Sequence, residues 1–275
     1  MIAQTKKVGD IELTALSDGR LATSLDVILG MDRAEAARLA GTTGDNLHIA
    51  VNAFLLKLAG KWALIDVGAG DSMGPELGRL AENLRTFGVA PEEIAAVFLT
   101  HIHPDHSNGL VDASGRVVYP NAEVILHETE ARFWLDRDEA SGENERIRRN
   151  IAKAAVATAP YRHRVRTVRE GEAMAGVAAV ALPGHTPGHT GWMIASGKES
   201  LLIWGDLVHL ASVQVARPDT SLVFDVDPQA ACATRLRTFD RVAADRLKVA
   251  GAHMDFPGFG TIVRRGAGFA FEPEA

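Results

Sequence analysis

The chain has 275 residues, of which 47% are hydrophobic and 23% charged, a balance that excludes disorder or low complexity as its main state. Its 29 lysines and arginines against 35 aspartates and glutamates give a net charge of −6, which argues against nucleic acid as a partner because phosphate binding needs clustered Lys and Arg. One cysteine, Cys232, excludes an internal disulfide and a multi-cysteine metal site, and no stretch reaches the ~18 consecutive apolar residues of a membrane span.

The chain starts without an apolar run after Lys6 and Lys7 and goes directly into residues 8–11, which read as a strand. With no signal peptide visible, the expected location is the cytoplasm. Residues 11–16 alternate with the period of a half-buried strand. Residues 32–40 read as a short helix capped by Asp32. Residues 53–58 and 62–65, joined at Gly60-Lys61, read as a hairpin. Residues 74–88 read as a helix, with Pro75 in its first turn and Gly88 past its end. The apolar run 94–99 reads as a buried strand that empties into Thr100-His101-Ile102-His103-Pro104-Asp105-His106.

Residues 122–126 read as a strand, and 128–136 and 144–158 as helices. Arg146, Arg148 and Arg149 read as a solvated helical face. Strands follow at 177–182, 192–195 and 201–204, then a long amphipathic helix over 228–246 and a last strand at 247–250. Cys232 lies in that helix and reads as packing. No linker or internal repeat is visible. The order of elements suits an α/β chain with two sheets packed together and helices outside, a single domain over residues 1–275.

His101, His103, Asp105 and His106 place four metal-capable side chains within six residues. In an extended stretch alternate residues share a face, so His101, His103 and Asp105 are expected to converge, with His106 directed elsewhere. Imidazole nitrogen and carboxylate oxygen suit Zn, Mn, Fe or Co. His185, Asp206 and His253 each follow a strand, at the C-terminal end where open sheets display chemistry. The doubled Pro183-Gly184-His185-Thr186-Pro187-Gly188-His189-Thr190 makes His185 and His189 rivals. His185 is nearer the strand end and is favoured as the ligand, with His189 behind it.

This set, with Leu64-Ile65-Asp66-Val67-Gly68, resembles the metallo-β-lactamase superfamily over about residues 9–260. The resemblance implies an αββα sandwich of two mixed sheets. It implies two divalent ions, zinc first, with His101, His103 and His185 on one ion, Asp105, His106 and His253 on the other, and Asp206 bridging. Asp66 would support the metal loop. Within the superfamily, Ala15-Leu16-Ser17-Asp18-Gly19, Trp204-Gly205-Asp206-Leu207-Val208-His209, Phe224-Asp225-Val226-Asp227-Pro228 and His253-Met254-Asp255-Phe256-Pro257-Gly258-Phe259-Gly260 are similar to the branch of methyl parathion hydrolase and quorum-quenching lactonases. That branch implies hydrolysis of lactones, esters or phosphotriesters, a small-molecule substrate, and a homodimer. Ser107-Asn108-Gly109 departs from the glycine pair of many members, which bears on the loop more than on the metals.

Two ions roughly 3.5–4 Å apart can hold a hydroxide at neutral pH and polarise a substrate oxygen, so no serine or cysteine nucleophile is needed. Asp105 and Asp206 are the expected catalytic carboxylates, and His209, just past Asp206, has two readings, a residue directed into the site and an ordinary strand-end histidine. The chain carries no Gly-x-Ser-x-Gly elbow and no flavin-binding stretch. A glyoxalase-II-type thioesterase would fit the metals, but that group adds a helical C-terminal substrate region and only a short tail follows His253. A true β-lactamase would generally lack the bridging aspartate. A non-catalytic metal- or ligand-binding module is the reading from another class. Candidate pocket residues are Phe133 and Trp134 first, then Phe224, with Phe54, Leu55 and Phe259 as further aromatic or apolar candidates.

Overall fold

In chain order the strands are β1 Ala3–Val8, β2 Ile11–Ser24, β3 Ile28–Leu29, β4 Asn46–Leu58, β5 Lys61–Ile65, β6 Ile94–Phe98, β7 Glu123–His127, β8 Val165–Val168, β9 Gly171–Met174, β10 Val177–Ala181, β11 Thr190–Ser196, β12 Glu199–Ile203, β13 Ser221–Leu222, β14 Lys248–Ala250, β15 Phe259–Arg265 and β16 Gly268–Pro273. The α-helices are α1 Arg33–Ala40, α2 Leu80–Phe87, α3 Pro104–Ser107, α4 Glu128–Trp134, α5 Glu145–Thr158, α6 Ala211–Gln214 and α7 Pro228–Ala244. The structure is a computed structural model that describes residues 1–138, 143–266 and 268–274.

Two seven-stranded sheets form, in the orders β1-β2-β4-β5-β6-β7-β8 and β16-β15-β14-β12-β11-β10-β9. Both are mixed: β5 through β8 run parallel, as do β12 and β14, and the other neighbours are antiparallel. The period-two pleat explains how one sequence serves two cores. Phe54, Leu56, Ala63, Ile65, Ala96 and Phe98 point to one face and meet Trp192, Ile194, Leu201 and Ile203 of the second sheet. Their sequence neighbours Leu55, Leu64 and Val97 point to the other face and pack with Leu80 and Leu84 of α2, Trp134 of α4, and Ile147 and Ile151 of α5. Leu202 and Val249 back onto Phe239 and Val242 of α7. The result is an αββα sandwich. Strands buried on both faces read as continuous apolar runs for this reason.

The structure corrects two of the expected elements. Residues 8–11 are a turn between β1 and β2, with Gly9 at φ +57°. The helix expected from residue 74 begins only at Leu80, because Gly74 and Gly78 take φ +99° and +80° and the N–H groups of Gly78 and Leu80 donate instead to the buried carboxylate of Asp18. The short helix at residue 32 forms as Arg33–Ala40, with the Asp32 side chain accepting from the N–H groups of Ala34 and Glu35. Among the described residues no helix is long and apolar enough to cross a membrane.

Candidate metal centre

The strand ends β6, β10, β12 and β14 deliver the site. His101 and His103 leave β6 in extended backbone, but Pro104 starts α3, so the alternation stops at His103. That corrects the expected grouping of Asp105 with His101 and His103. The structure instead brings donor atoms of His101, His103, His185 and Asp206 within 4.8 Å of one another, and groups Asp105 with His106 and His253. Asp206 stands between the groups. Its Oδ1 lies 3.1 Å from His106 Nε2, and its Oδ2 lies 3.2 Å from both His185 Nε2 and His253 Nε2. Asp105 Oδ2 is 3.5 Å from His106 Nε2 and from His253 Nε2.

The outer nitrogens of the rings are tied down. His106 Nδ1 donates to Asp66 Oδ2 at 2.9 Å, His185 Nδ1 to Asp225 Oδ1 at 2.9 Å, and His253 Nδ1 to the carbonyl of Ala50 at 2.7 Å. Thr100 Oγ1 gives its one proton to Asp66 Oδ2 at 2.8 Å. It can therefore only accept from His101 Nδ1, 3.0 Å away. Four imidazoles thus turn Nε2 inward, the outer-partner arrangement that metal-binding histidines use to fix their ring orientation. His103 differs. Its Nδ1 faces His185 Nε2 at 2.8 Å, and the edge of Trp134 packs on its ring.

Electrostatics agree with the geometry. Burial first, then the neighbouring rings, hold His101 and His103 well below the ordinary histidine range, so both are neutral. Burial disfavours the charge on Asp206, but His106, His253 and His101 outweigh it and keep the carboxylate ionised. Burial likewise opposes protonation of His106, yet Asp206, Asp105 and Asp66 raise it well above its usual value. A nest of buried carboxylates drawing positive charge onto its histidines is a nest that suits a cation. Buried His101 Nε2, His103 Nε2 and Asp206 Oδ1 have no hydrogen-bond partner among the described residues. Neutral imidazoles, ionised carboxylates and unpaired inward donors fit divalent ions.

Of the residues expected behind the ligands, Asp66 accepts from the Thr100 N–H at 2.8 Å as well as from Thr100 Oγ1 and His106. His189 uses both nitrogens away from the donor groups: Nδ1 donates to the carbonyl of Leu182, and Nε2 accepts the Asp206 N–H at 3.0 Å. Gly205, at φ +52°, permits that approach, since a Cβ there would sit 2.7 Å from His189 Nε2. His209 does point into the site. Its Nε2 is 3.0 Å from Asp206 Oδ2, its ring stacks on His253, and burial lowers it to about 4.

A cavity of about 160 Å³ opens above the cluster, and His103, Asp105, His185, Asp206, His209 and His253 line it, with Phe224, Leu21, Ile49 and Met73. Phe133 and Trp134 do not line it, contrary to expectation. Trp134 is wholly buried, its indole nitrogen donating to Glu130 at 2.7 Å, and Phe133 packs edge-on against it. Phe54 and Phe259 lie in the core between the sheets and Leu55 in the core under the helices. The face of Arg146, Arg148 and Arg149 is solvated, with Arg149 exposed and the other two half-buried, but it looks onto the cavity: Arg146 and Arg149 line it, and Arg148 lines the neighbouring groove.

Three buried carboxylates escaped the sequence reading in their roles. Asp225 holds His185, and Asp18 gathers the N–H groups of Ala69, Gly78 and Leu80. Glu130 accepts from Ile102 N, Trp134 Nε1, Thr186 Oγ1 and Gly188 N. The available signal for Glu130 was its place one helical turn before Trp134, a carboxylate on an apolar face.

The family model of the metallo-beta-lactamase superfamily matches residues 48–251. The hydrolase AbOPH of the beta lactamase superfamily is 31% identical, covering 99% of this chain and 97% of its own at a TM-score of 0.92. AidC, a dizinc quorum-quenching lactonase solved with the product N-hexanoyl-L-homoserine, is 26% identical, covering 100% of this chain and 98% of its own at a TM-score of 0.93. A probable metal-dependent hydrolase from Staphylococcus aureus, 18% identical, shares the fold at a TM-score of 0.82, covering 98% of this chain and 99% of its own. No curated protein matches the sequence.

Proposed function

The chain belongs to the metallo-beta-lactamase superfamily and is a metal-dependent hydrolase, and from that premise we propose that it opens a lactone or cleaves an ester or phosphotriester at a dinuclear centre. The observation that carries this is Asp206, set between two groups of inward-facing donors. His101, His103 and His185 would hold one ion, Asp105, His106 and His253 the other, with Asp206 shared. Zinc is the proposed ion, because the donors are mostly imidazole and AidC is a dizinc enzyme. When bound, the ions supply Lewis acidity and bring the pKa of water near neutrality.

The chain's own residues supply the rest. Asp206, with 3% of its side chain exposed, is a fixed anionic anchor, held by the buried N–H···His189 contact behind it. Asp105 is the more exposed carboxylate at 12% and lines the cavity. Burial disfavours its charge, but His106 and His253 outweigh it and hold the carboxyl well below the usual carboxylate range, so it can orient an attacking water by accepting its hydrogen bond. Phe224, Leu21, Ile49 and Met73 offer apolar surface to an acyl or aryl group. A lactone is the preferred substrate, because AidC, similar over its whole length, is a lactonase.

Protein loaded with zinc, manganese or cobalt and offered a chromogenic lactone, an aryl ester and a phosphotriester tests this. Turnover with the lactone first is expected. Bound metal with no turnover of the three classes would favour a binding module instead.

A further inference from the structure

Helix α5 carries Arg146, Arg149 and Lys153 at spacings of three and four, so the three cations share one face. All three line the cavity over the donor cluster. None makes an ion pair with a carboxylate among the described residues. Arg146 Nη2 donates only to the carbonyl of Asp225 at 3.4 Å and Lys153 Nζ only to that of Ser72 at 3.5 Å. Elsewhere on the surface Arg137 pairs with Glu143, Arg166 with Glu123, and Arg217 with Glu35. Asp105 and Asp225, the carboxylates that Lys153 and Arg146 feel, are engaged with the cluster histidines.

Like charges at these spacings repel. Burial and Arg149 both push the pKa of Arg146 and Lys153 down. A wall of unpaired cations that costs stability and faces a reaction cavity is complementary to an anion. Building on the hydrolase reading above, we infer that the substrate carries its own anionic group, a carboxylate or phosphate a few carbons from the scissile bond, received by Arg146, Arg149 and Lys153. The apolar residues of the same cavity take the carbon spacer between the two ends.

Calorimetry on the metal-loaded protein tests this with three probes that share one carboxylate: glutarate, glutaramate and 4-phosphonobutanoate. Glutaramate replaces the far charge with a neutral amide. The protein should bind glutarate or the phosphonate at least about tenfold more tightly than glutaramate, and the ranking of those two separates carboxylate from phosphate. In R149Q/K153Q that preference should shrink to within about twofold. Equal affinity for the probes in the parent protein, or an undiminished preference in the double variant, overturns the inference. The hydrolase reading is tracked separately. A protein that hydrolyses 4-nitrophenyl butanoate but binds the probes alike loses only the anion wall, whereas selective binding of glutarate without turnover of any ester, lactone or phosphotriester loses only the hydrolase.

Discussion

The backbone N–H of Gly188 donates to Oε2 of Glu130 at 3.0 Å. The contact joins the first turn of α4 to the loop that carries His185, and the other oxygen of Glu130 accepts from Ile102, between His101 and His103. One buried carboxylate therefore ties together the two loops that supply the first donor group. No room exists for adjustment at this junction, because a Cβ on Gly188 would lie 2.1 Å from the Glu130 nitrogen.

Replacing Glu130 by Gln keeps the shape but turns an NH2 toward an N–H donor, since each carboxylate oxygen accepts from at least one N–H group. We expect a loss of about 3 kcal/mol, read as a fall of roughly 6–12 °C in Tm, with weaker metal retention. An unchanged Tm in a thermal melt would remove Glu130 from this role.

Asp206→Asn retains volume and removes the charge shared by both donor groups. Bound metal should drop, and kcat/KM should fall by at least about a thousandfold, some 4 kcal/mol of transition-state stabilisation. Elemental analysis beside turnover checks it. Full activity with both ions retained would sink the assignment of Asp206.

Removal of metal should make stability depend on alkaline pH. Burial opposes protonation of His185, but Asp206 and Asp225 outweigh it and lift its pKa to about 9 in the metal-free protein. The unfolded value is about 6.5. A raised pKa contributes stability that is complete below the unfolded value and is lost as pH rises through the folded one. Melts of chelated protein should therefore show a lower Tm at pH 9.5 than at pH 6. Metal-loaded protein, in which the ions replace those protons, should show a smaller change. Identical pH dependence with and without metal contradicts this account.

Phe224 and Phe133 should behave differently under steady-state kinetics. Phe224 lines the cavity and Phe133 does not. Phe224→Ala should raise KM for acyl substrates about tenfold, the scale of a lost aromatic contact, with a smaller effect on kcat. Phe133→Ala should leave KM within about twofold of the parent. Equal effects at the two positions would remove Phe224 from the substrate wall.

Much of this was readable in the linear chain because the governing rules are local. An unbroken apolar run such as Ala63-Leu64-Ile65 announces a strand with two buried faces. His101 through His106, and later Asp206, stand out because polar ligands directly after apolar runs have few other uses. Where local pattern and tertiary packing compete, the chain alone misleads. Arg146 and Arg149 look like an ordinary charged helix face, and only the docking of α5 through Ile147 and Ile151 turns that face onto the cavity. Phe133 and Trp134 look like pocket aromatics until the seating of α4 buries Trp134 against His103.

By itself the sequence determined which side chains are available as donors, which strands present them, and the sandwich that follows from two alternating sheets, because these depend on residue type and short-range periodicity. Only the tertiary structure decided that the alternation ends at His103, that Asp225 and Glu130 stand behind the donors, and which cations look into the cavity. Those outcomes depend on contacts between residues tens to hundreds of positions apart, such as His253 with the carbonyl of Ala50, and on the single way the helices can seat their apolar faces on the sheets.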